Sequence, residues 1–376
     1  MKKVNKTKPK LDSLLHSLKA LLHTRTLHLT LVAFVILALI PLFITDNFFL
    51  TVLTLITIFA IYAASWNFLA NSGQGSLGHA VFLGIGGFSS AIIGAVISTN
   101  LIKLLGTSQM PVGFLSLLIQ VLALLVGGLF SAGIGLLIGL ACVRLKAWYL
   151  AMVTFGFSVI ADSLSSQFDS VTHGINGFSP TLLVPRGFPF YLMVISFAAT
   201  SIFIMFLIMK SRMGLAFRAI RENESEAKMI GINTAKYKLI AFVISTFFAG
   251  LAGGLNAYLI RYVDNSIFAP ANSFSPLIMT VIGGLGTVTG PIIGSIFLVS
   301  VQQILSLPSV ADSLRNSLGA YFPGVGDVGP PLSFLFIGIF LVVIVVFAPK
   351  GLTSLLQRLY NYLNVHLREN KEKAAP

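Results

Sequence analysis

Charged residues are scarce in this sequence: Asp, Glu, Lys and Arg make up 10% of its 376 residues, against roughly 25% in ordinary soluble domains. Hydrophobic residues make up 56%, with 31 Phe among them, and the mean hydropathy is +0.91. So little charge excludes a soluble globular enzyme, and so much apolar surface excludes intrinsic disorder. Because a membrane-spanning helix needs roughly 20 apolar residues, the sequence predicts an all-α integral membrane protein, a polytopic bundle of about 8–10 transmembrane helices.

Cysteine is also nearly absent. The single Cys142 excludes an internal disulfide and a four-cysteine zinc site. The sequence contains no G-x-x-x-x-G-K-[ST], H-E-x-x-H or G-x-S-x-G motif, and of six histidines only His79 and His173 lie near the ends of predicted spans. We therefore predict no catalytic residue and no metal site. No acidic residue lies in the middle of a span, so a proton relay that could drive transport is missing as well.

Stretches without charge predict the spans. Seven are continuous, at residues 27–45, 47–69, 78–97, 112–140, 148–164, 190–209 and 239–260. Two further apolar regions follow at 276–305 and 334–347. The first contains Gly283, Gly284, Gly286, Gly290 and Pro291, which weaken or break a helix. It is therefore predicted to form two short helices that meet at a bend, either as a re-entrant hairpin or as a pair of tilted spans.

Basic residues cluster in four places. Seven lie before Leu27, two at Arg144 and Lys146, seven from Lys210 to Lys238 and five from Lys350 onward, which leaves four of the 25 elsewhere. Long charge-free stretches separate these clusters, so they mark the cytoplasmic side of a membrane rather than a nucleic-acid surface. We expect cytoplasmic termini and three regions: a basic N-terminal segment (1–27), a transmembrane domain (28–349) and a C-terminal tail (350–376).

Glycine and other small residues form two kinds of pattern. Glycine-rich breaks at 71–79 and 283–291 share five identities when residues 75–86 are aligned with 283–294. Paired breaks in two halves of a transporter often flank the substrate path; chance similarity is the alternative. Small residues also recur every four positions, a spacing that predicts close helix packing: Gly86, Ser90 and Gly94; Gly127, Ser131, Gly135 and Gly139; Ala249, Gly253 and Ala257.

The loop at 210–238 is much longer than two spans need and carries both signs of charge. Helix-forming residues dominate it up to Gly231, a residue typical of a helix end. We predict one or two short amphipathic helices on the inner surface. Such a loop either docks a soluble partner or lies on lipid headgroups.

This loop resembles the coupling segment of permease subunits from branched-chain amino-acid ABC importers, the LivM-like half. The resemblance begins at Arg218-Ala219-Ile220-Arg221-Glu222-Asn223-Glu224 and continues through Ala227, Gly231-Ile232-Asn233 and residues 238–242. Further segments match in the same order: GSLGHA at 75–80, YLAMVT at 149–154, THGING at 172–177, GGLGT at 283–287 and APKGL at 348–352. The similarity extends from about residue 47 to residue 352.

The resemblance implies a multi-pass inner (plasma) membrane subunit that forms half of a pore. Its expected partners are a second homologous permease, two cytoplasmic ATP-binding subunits, an extracytoplasmic solute-binding protein and membrane lipid. The chain itself would hold no cofactor, because ATP and Mg are bound by the partner ATPases. The residues expected to couple to those ATPases are Arg218, Ala219, Arg221, Glu222, Asn223, Glu224, Ala227 and Gly231.

The resemblance also suggests a substrate path for neutral amino acids. Unwound backbone at glycine breaks could bind the charged ends of the solute, which makes candidates of Ser76, His79, Thr154, Asn176, Gly283 and Thr287. Departures from the family pattern, such as Val159 and His173, leave urea, amides, nucleosides or sugars as alternative solutes. Two other classes stay open: a stand-alone channel or facilitator, and an intramembrane lipid-modifying enzyme that uses His79 or His173.

Overall fold

The computed structural model describes residues 37, 39–42, 46–105, 113–145, 147–181, 184–310, 312–313, 329–349 and 351–355. The chain divides into two compact units, Met1–Asp46 and Asn47–Pro376. In the first unit a 3₁₀ turn is described at Ile40–Leu42. The predicted basic segment at 1–27, nearly all of the predicted span at 27–45 and most of the tail at 350–376 lie outside the described residues.

The second unit is helical, and its described residues contain no strand beyond one isolated bridge between Phe178 and Val263. The helices are α1 (Asn47–Ala70), α2 (His79–Leu105), α3 (Phe114–Cys142), α4 (Ala147–Gln167), α5 (Asp169–Thr172), α6 (Phe188–Lys210), α7 (Arg212–Glu222), α8 (Glu224–Met229), α9 (Thr234–Ile260), α10 (Pro270–Gly283), α11 (Gly290–Leu305) and α12 (Gly329–Phe347). The predicted all-α class is confirmed.

Six described helices are long and apolar enough to cross a membrane: α1, α2, α3, α4, α6 and α9. They correspond to the six continuous spans predicted from residue 47 onward. The sequence finds them because hydropathy is a property of each segment alone. The helix α2 runs to Leu105, eight residues beyond the predicted end at Ile97, since Thr99, Asn100 and Lys103 at its end do not stop a helix.

The region at 276–305 forms two short helices, as predicted. Helix α10 has 14 residues and α11 has 16, so at about 1.5 Å per residue each is shorter than the ~30 Å core of a bilayer. They run antiparallel and very close: a Cβ on Gly283 would lie 1.7 Å from the Gly290 carbonyl oxygen, and one on Gly294 would lie 1.7 Å from that of Met279. The pair is a helical hairpin with its tip at residues 284–289.

The small-residue patterns pack against one another in the centre of the bundle. A Cβ on Gly86 would lie 2.1 Å from the Gly250 carbonyl oxygen, and one on Gly253 would lie 1.8 Å from that of Leu83. The Ser131 hydroxyl donates hydrogen bonds to the carbonyl oxygens of Phe82 and Thr246. These contacts join α2, α3 and α9 and confirm the predicted close packing. Helix α1 packs on α9 and on the hairpin, and α6 packs on α1.

Candidate functional site

The first glycine-rich break turns back along the helix that precedes it. After α1 ends at Ala70, the indole Nε1 of Trp66 donates to the Ser76 carbonyl oxygen at 2.8 Å. The backbone N–H of Leu77 then donates to Oγ1 of Thr154 at 3.2 Å. Ser76, His79 and Thr154 are all buried there. Three of the predicted substrate-path residues therefore lie together where α1, α2 and α4 meet.

His79 begins α2 in a fully buried position between two aromatic rings. Its ring centroid lies 5.4 Å from that of Tyr62 and 6.0 Å from that of Phe82. Its Nε2 is 3.0 Å from the Ser65 hydroxyl, whereas Nδ1 has no hydrogen-bond partner within the described part of the chain. Buried ring nitrogens normally have hydrogen-bond partners. Nδ1 of His79 is therefore an unusual polar group, because it is enclosed in the interior without one among the described residues. A solute can reach it only if the surrounding helices move.

The second break is fastened to α1 by one amide side chain. Asn67 donates from Nδ2 to the Thr287 carbonyl oxygen at 2.7 Å and accepts at Oδ1 from the Gly286 N–H at 2.8 Å. Gly283 is buried at the end of α10, and the Thr353 hydroxyl donates to its carbonyl oxygen. Gly283 and Thr287, the two candidates on this break, therefore lie at the hairpin tip beside α1.

Arg221, near the end of α7, lies between the two breaks. Its Nη1 donates to Oδ1 of Asn71 at 3.0 Å, and a Cβ on Gly286 would lie 2.7 Å from that Nη1. A Cβ on Gly73 would lie 3.2 Å from the Arg221 Cα. The side chain of Asn71 in turn donates to the Asn67 carbonyl oxygen at 2.9 Å. One guanidinium thus contacts both glycine-rich breaks.

The loop at 210–238 forms two short helices, as predicted. Ser211 caps α7, and Asn223 caps α8 by accepting from the N–H groups of Ser225 and Glu226. After α8, Gly231 has a φ of +85°, its N–H donates to the Lys228 carbonyl oxygen, and the Ile232 N–H donates to that of Ala227. This is a Schellman motif, which glycine favours at this position. The predicted helix end at Gly231 is confirmed.

The same two helices have one buried and one uncovered face. Phe217 and Ile220 are buried, with the Phe217 ring 5.6 Å from that of Phe68 on α1. Leu215, Met229 and Ile230 are 60%, 80% and 74% exposed. Arg218 donates to the Met209 carbonyl oxygen at the end of α6, which fixes the turn between α6 and α7. Ala219 is half-buried, Ala227 is buried, and Glu222 is exposed.

Glu224 ties α8 to α9. Its carboxylate forms ion pairs with Lys228, at 3.0 Å, and with Lys238, and it accepts from the Thr234 hydroxyl. The Lys238 side chain is only 7% exposed, and its backbone carbonyl accepts from the Gln74 side chain at 2.9 Å. Burial raises the pKa of the Glu224 carboxyl, but the hydrogen bonds and charges of Lys238 and Lys228 outweigh it, so the pKa lies below its ordinary 4.5.

We expect Glu224→Gln to loosen α8 from α9, because it leaves the buried Lys238 ammonium without its counter-charge. The partial exposure of Glu224 limits the cost to about 1–2 kcal/mol. Hydrogen exchange of the α8 amides in the purified chain should accelerate about tenfold. Glu222→Gln, which changes an exposed carboxylate in the neighbouring helix, is the matched control. Equal rates of α8 amide exchange in the two variants would contradict the role of Glu224 in joining α8 to α9.

The same ion pairs give a pH dependence. Since the folded pKa of Glu224 is lowered, its contribution is fully present above pH 4.5, the ordinary value, and is lost as the pH falls through the lowered pKa. We expect α8 exchange, corrected for intrinsic rate, to be constant from about pH 8 to 5.5 and to rise only in stronger acid. A change near pH 7 would show that another group controls this contact.

The structure separates one candidate from the others. Asn176 is exposed at the end of the bundle opposite the 210–238 loop, and its carbonyl oxygen accepts from the Tyr262 hydroxyl at 2.9 Å. Asn67, Asn71 and Lys238 hold the two breaks and the loop together, and sequence reasoning missed them. The available signal was the spacing of Asn67 and Asn71, which places two amides on one face of the last turn before a glycine-rich break.

These features define a multi-pass helical membrane protein with interrupted helices beside a loop of two short helices. The chain belongs to the family described as "Branched-chain amino acid transport system / permease component", which it matches over residues 48–345. This is a family of transporter permeases, not of enzymes.

Curated relatives agree with this assignment. The chain is 28% identical over 308 residues to the high-affinity branched-chain amino acid transport system permease protein LivM of Escherichia coli K12, covering 74% of this chain and 68% of the relative. It is 26% identical over 280 residues to the probable LivM permease of Methanocaldococcus jannaschii (72% and 77%). It is also 26% identical over 289 residues to the probable LivH permease of that organism (71% and 81%). No solved structure matches the chain.

Proposed function

We propose that this chain is the LivM-like permease subunit of an ATP-driven importer for branched-chain or other neutral amino acids. It forms half of the translocation pore together with a second, LivH-like permease. Support comes from relatives of both names, each described as a branched-chain amino acid transport permease. Two ATPases hold ATP and Mg, and an extracytoplasmic binding protein delivers the solute.

The observation that carries this proposal is the uncovered apolar face of α7 and α8. Leu215, Met229 and Ile230 are exposed on a loop that is also bonded to the interior through Arg221 and Glu224. A loop that only joined two spans would need neither feature. The exposed face suits a groove on an ATPase, and the bonded face suits the transmission of movement to the helices.

In this proposal the loop lies in the cytoplasm of a cell whose inner (plasma) membrane holds the bundle, and both termini are cytoplasmic. When the ATPases close on ATP, they displace α7 and α8. Arg221 transfers that displacement to Asn71 and to the hairpin tip at Gly286. The two breaks then move relative to α1 and change which side of the membrane the pore opens to. In this proposal the movement exposes polar groups to the solute at five of the predicted substrate-path residues: Ser76, His79, Thr154, Gly283 and Thr287.

Replacing Met229 and Ile230 together by Glu tests the docking. The charges should prevent burial against an ATPase groove, so we expect co-purification of the ATPases and solute-stimulated ATP hydrolysis to fall at least about tenfold. The amount of chain in the membrane should not change. Ala235→Glu adds a carboxylate to an exposed position in the first turn of α9 and should stay within about twofold of the parent.

Two results would contradict the proposal. One is unchanged ATPase binding and activity in the Met229 and Ile230 double variant. The other is solute flux through the purified chain alone in liposomes, without ATPases, which would indicate a stand-alone channel.

A further inference from the structure

A cavity lined partly by polar residues lies at the end of the bundle opposite the 210–238 loop. It has a volume of about 490 Å³ and is lined by the ends of α1 and α9, the turn after α9, and parts of α2, α10 and α11. This size is within the range of small-molecule sites. None of the predicted substrate-path residues lines it, so it is distinct from the two glycine-rich breaks.

Arg186 supplies a cation to this cavity. Its Nη2 donates to the carbonyl oxygens of Leu259 and Ile260 at 2.6 and 3.2 Å, which holds the guanidinium at the carboxyl end of α9. Burial and the nearby charge of Arg261 lower the pKa of Arg186. The Arg186 guanidinium makes this side of the cavity attractive to an anion, and it has further N–H groups with which to bind a carboxylate.

Acceptors line the cavity as well. Asn256 on α9 is 9% exposed, and its Oδ1 has no hydrogen-bond partner among the described residues. A buried amide oxygen without a donor is costly and indicates a missing partner. Asp264 accepts at Oδ1 from the N–H and hydroxyl of Ser266, and its charge adds a second attraction for a cation.

The rest of the lining is mixed: Leu55, Phe59, Leu83 and Leu259 are apolar, whereas Thr51, Asn272 and Gln303 are polar without charge. The cavity therefore combines one guanidinium, one carboxylate, one unpaired amide oxygen and an apolar surface on α1, α2 and α9. A zwitterion with an aliphatic side chain matches all of these at once. A solute that lacks a carboxylate offers no opposite charge to Arg186, and one that lacks an ammonium group offers none to Asp264.

We propose that this cavity is an entry site for a neutral α-amino acid with an aliphatic side chain. The solute carboxylate binds Arg186, its ammonium group binds Asn256 Oδ1 and Asp264, and its side chain packs against Leu55, Phe59 and Leu83. This inference rests on the proposed import function and adds the place where the solute first contacts the permease. The solute then passes from here toward the buried polar groups around His79.

Thiol protection tests binding directly. The only native cysteine, Cys142, is buried, so Thr51→Cys places one accessible thiol at the cavity edge. In the assembled complex, L-leucine should slow its reaction with a charged thiol reagent at least about tenfold, whereas 4-methylpentanoate, which lacks the ammonium, should not. Arg261→Cys, at an exposed position that does not line the cavity, should react equally with and without L-leucine.

Transport of L-leucine by the assembled complex in proteoliposomes tests the charges. Asp264→Asn keeps an oxygen to cap the Ser266 turn and removes only the charge; it and Arg186→Gln should each raise the concentration for half-maximal uptake about tenfold or more. The concentration for half-maximal uptake of Arg186→Lys should lie between those of Arg186→Gln and the parent. Lysine keeps the positive charge but lacks the planar pair of N–H donors with which arginine binds a carboxylate. Arg261→Gln removes a neighbouring cation and should stay within about twofold.

The outcomes separate the site from the function. If the parent complex imports L-leucine, but Thr51→Cys is not protected and Arg186→Gln and Asp264→Asn behave like Arg261→Gln, the entry site is wrong and the importer proposal stands. If the parent complex with all its partners imports no neutral amino acid, the proposed function is wrong and the entry site is wrong with it. The site is supported if adding Asp264→Asn to Thr51→Cys abolishes the protection of the thiol by L-leucine, and if Asp264→Asn impairs uptake in parallel.

Discussion

Arg221→Ala should uncouple ATP hydrolysis from transport. The variant removes the hydrogen bond to Asn71 and the guanidinium beside Gly286, so in the proposed mechanism a movement of α7 would no longer reach either glycine-rich break. The exposed face at Leu215, Met229 and Ile230, where we propose that the ATPases dock, is unchanged. We therefore expect amino acid uptake to fall at least about twentyfold, a loss of roughly 2 kcal/mol, while ATP hydrolysis stays within about threefold of the parent.

Two controls distinguish this coupling role from a general loss of stability. Arg212→Ala removes a cation from the first turn of the same helix, at an exposed position, and should leave the ratio of solute imported to ATP hydrolysed unchanged. Asn71→Ala should reproduce the Arg221 defect, and the double variant should be no worse than either single variant, because both remove the same contact. Additive losses, or parallel losses of uptake and hydrolysis, would contradict the coupling role.

Gly253→Ala should strongly destabilise the bundle. A Cβ on Gly253 would lie 1.8 Å from the Leu83 carbonyl oxygen. Because this clash is with the backbone of another helix, it can be relieved only if α2 and α9 move apart. Such overpacking costs about 3 kcal/mol, and in lipid no gain in apolar burial offsets it. We expect thermal unfolding of the purified chain in detergent to occur at a clearly lower temperature, with less folded chain recovered.

The matched control is Gly133→Ala on α3. That glycine is also inside a helix, but it is exposed, and a Cβ there would meet no described atom within 4 Å. Alanine favours the helix over glycine by about 1 kcal/mol, so this variant should be as stable as the parent or more stable. If both variants unfolded at the same temperature, the close approach of α2 and α9 would not be what stabilises the bundle.

The fold was largely predictable because its main features are local in sequence. Hydropathy identifies the spans from residue 47 onward, glycine and proline identify the break between α10 and α11, and four-residue spacing identifies the packing faces of α2, α3 and α9. The helix end at Gly231 is equally local, since the Schellman motif needs only the residues around it.

The candidate site was less predictable because its bonds join distant parts of the chain. Arg221 and Asn71 are 150 positions apart, and Asn67 and Thr287 are 220 apart. Family resemblance predicted that Arg221 couples to an ATPase, but it gave no sign of the hydrogen bond from Arg221 to Asn71 that the structure shows. The cavity lined by Arg186, Asn256 and Asp264 was missed for the same reason, because these residues belong to separate segments of the sequence and form one site only in the folded chain.

The helical hairpin is fastened to α1 near both of its ends. Asn67 holds the tip through both atoms of one amide, and toward the other end of α10 the Tyr62 hydroxyl donates to the Asn272 carbonyl oxygen. Asn272 also lines the cavity around Arg186 and Asn256. Because Tyr62 and Asn67 belong to the same helix, a shift of α1 along its axis would carry the hairpin tip and one wall of that cavity in the same direction.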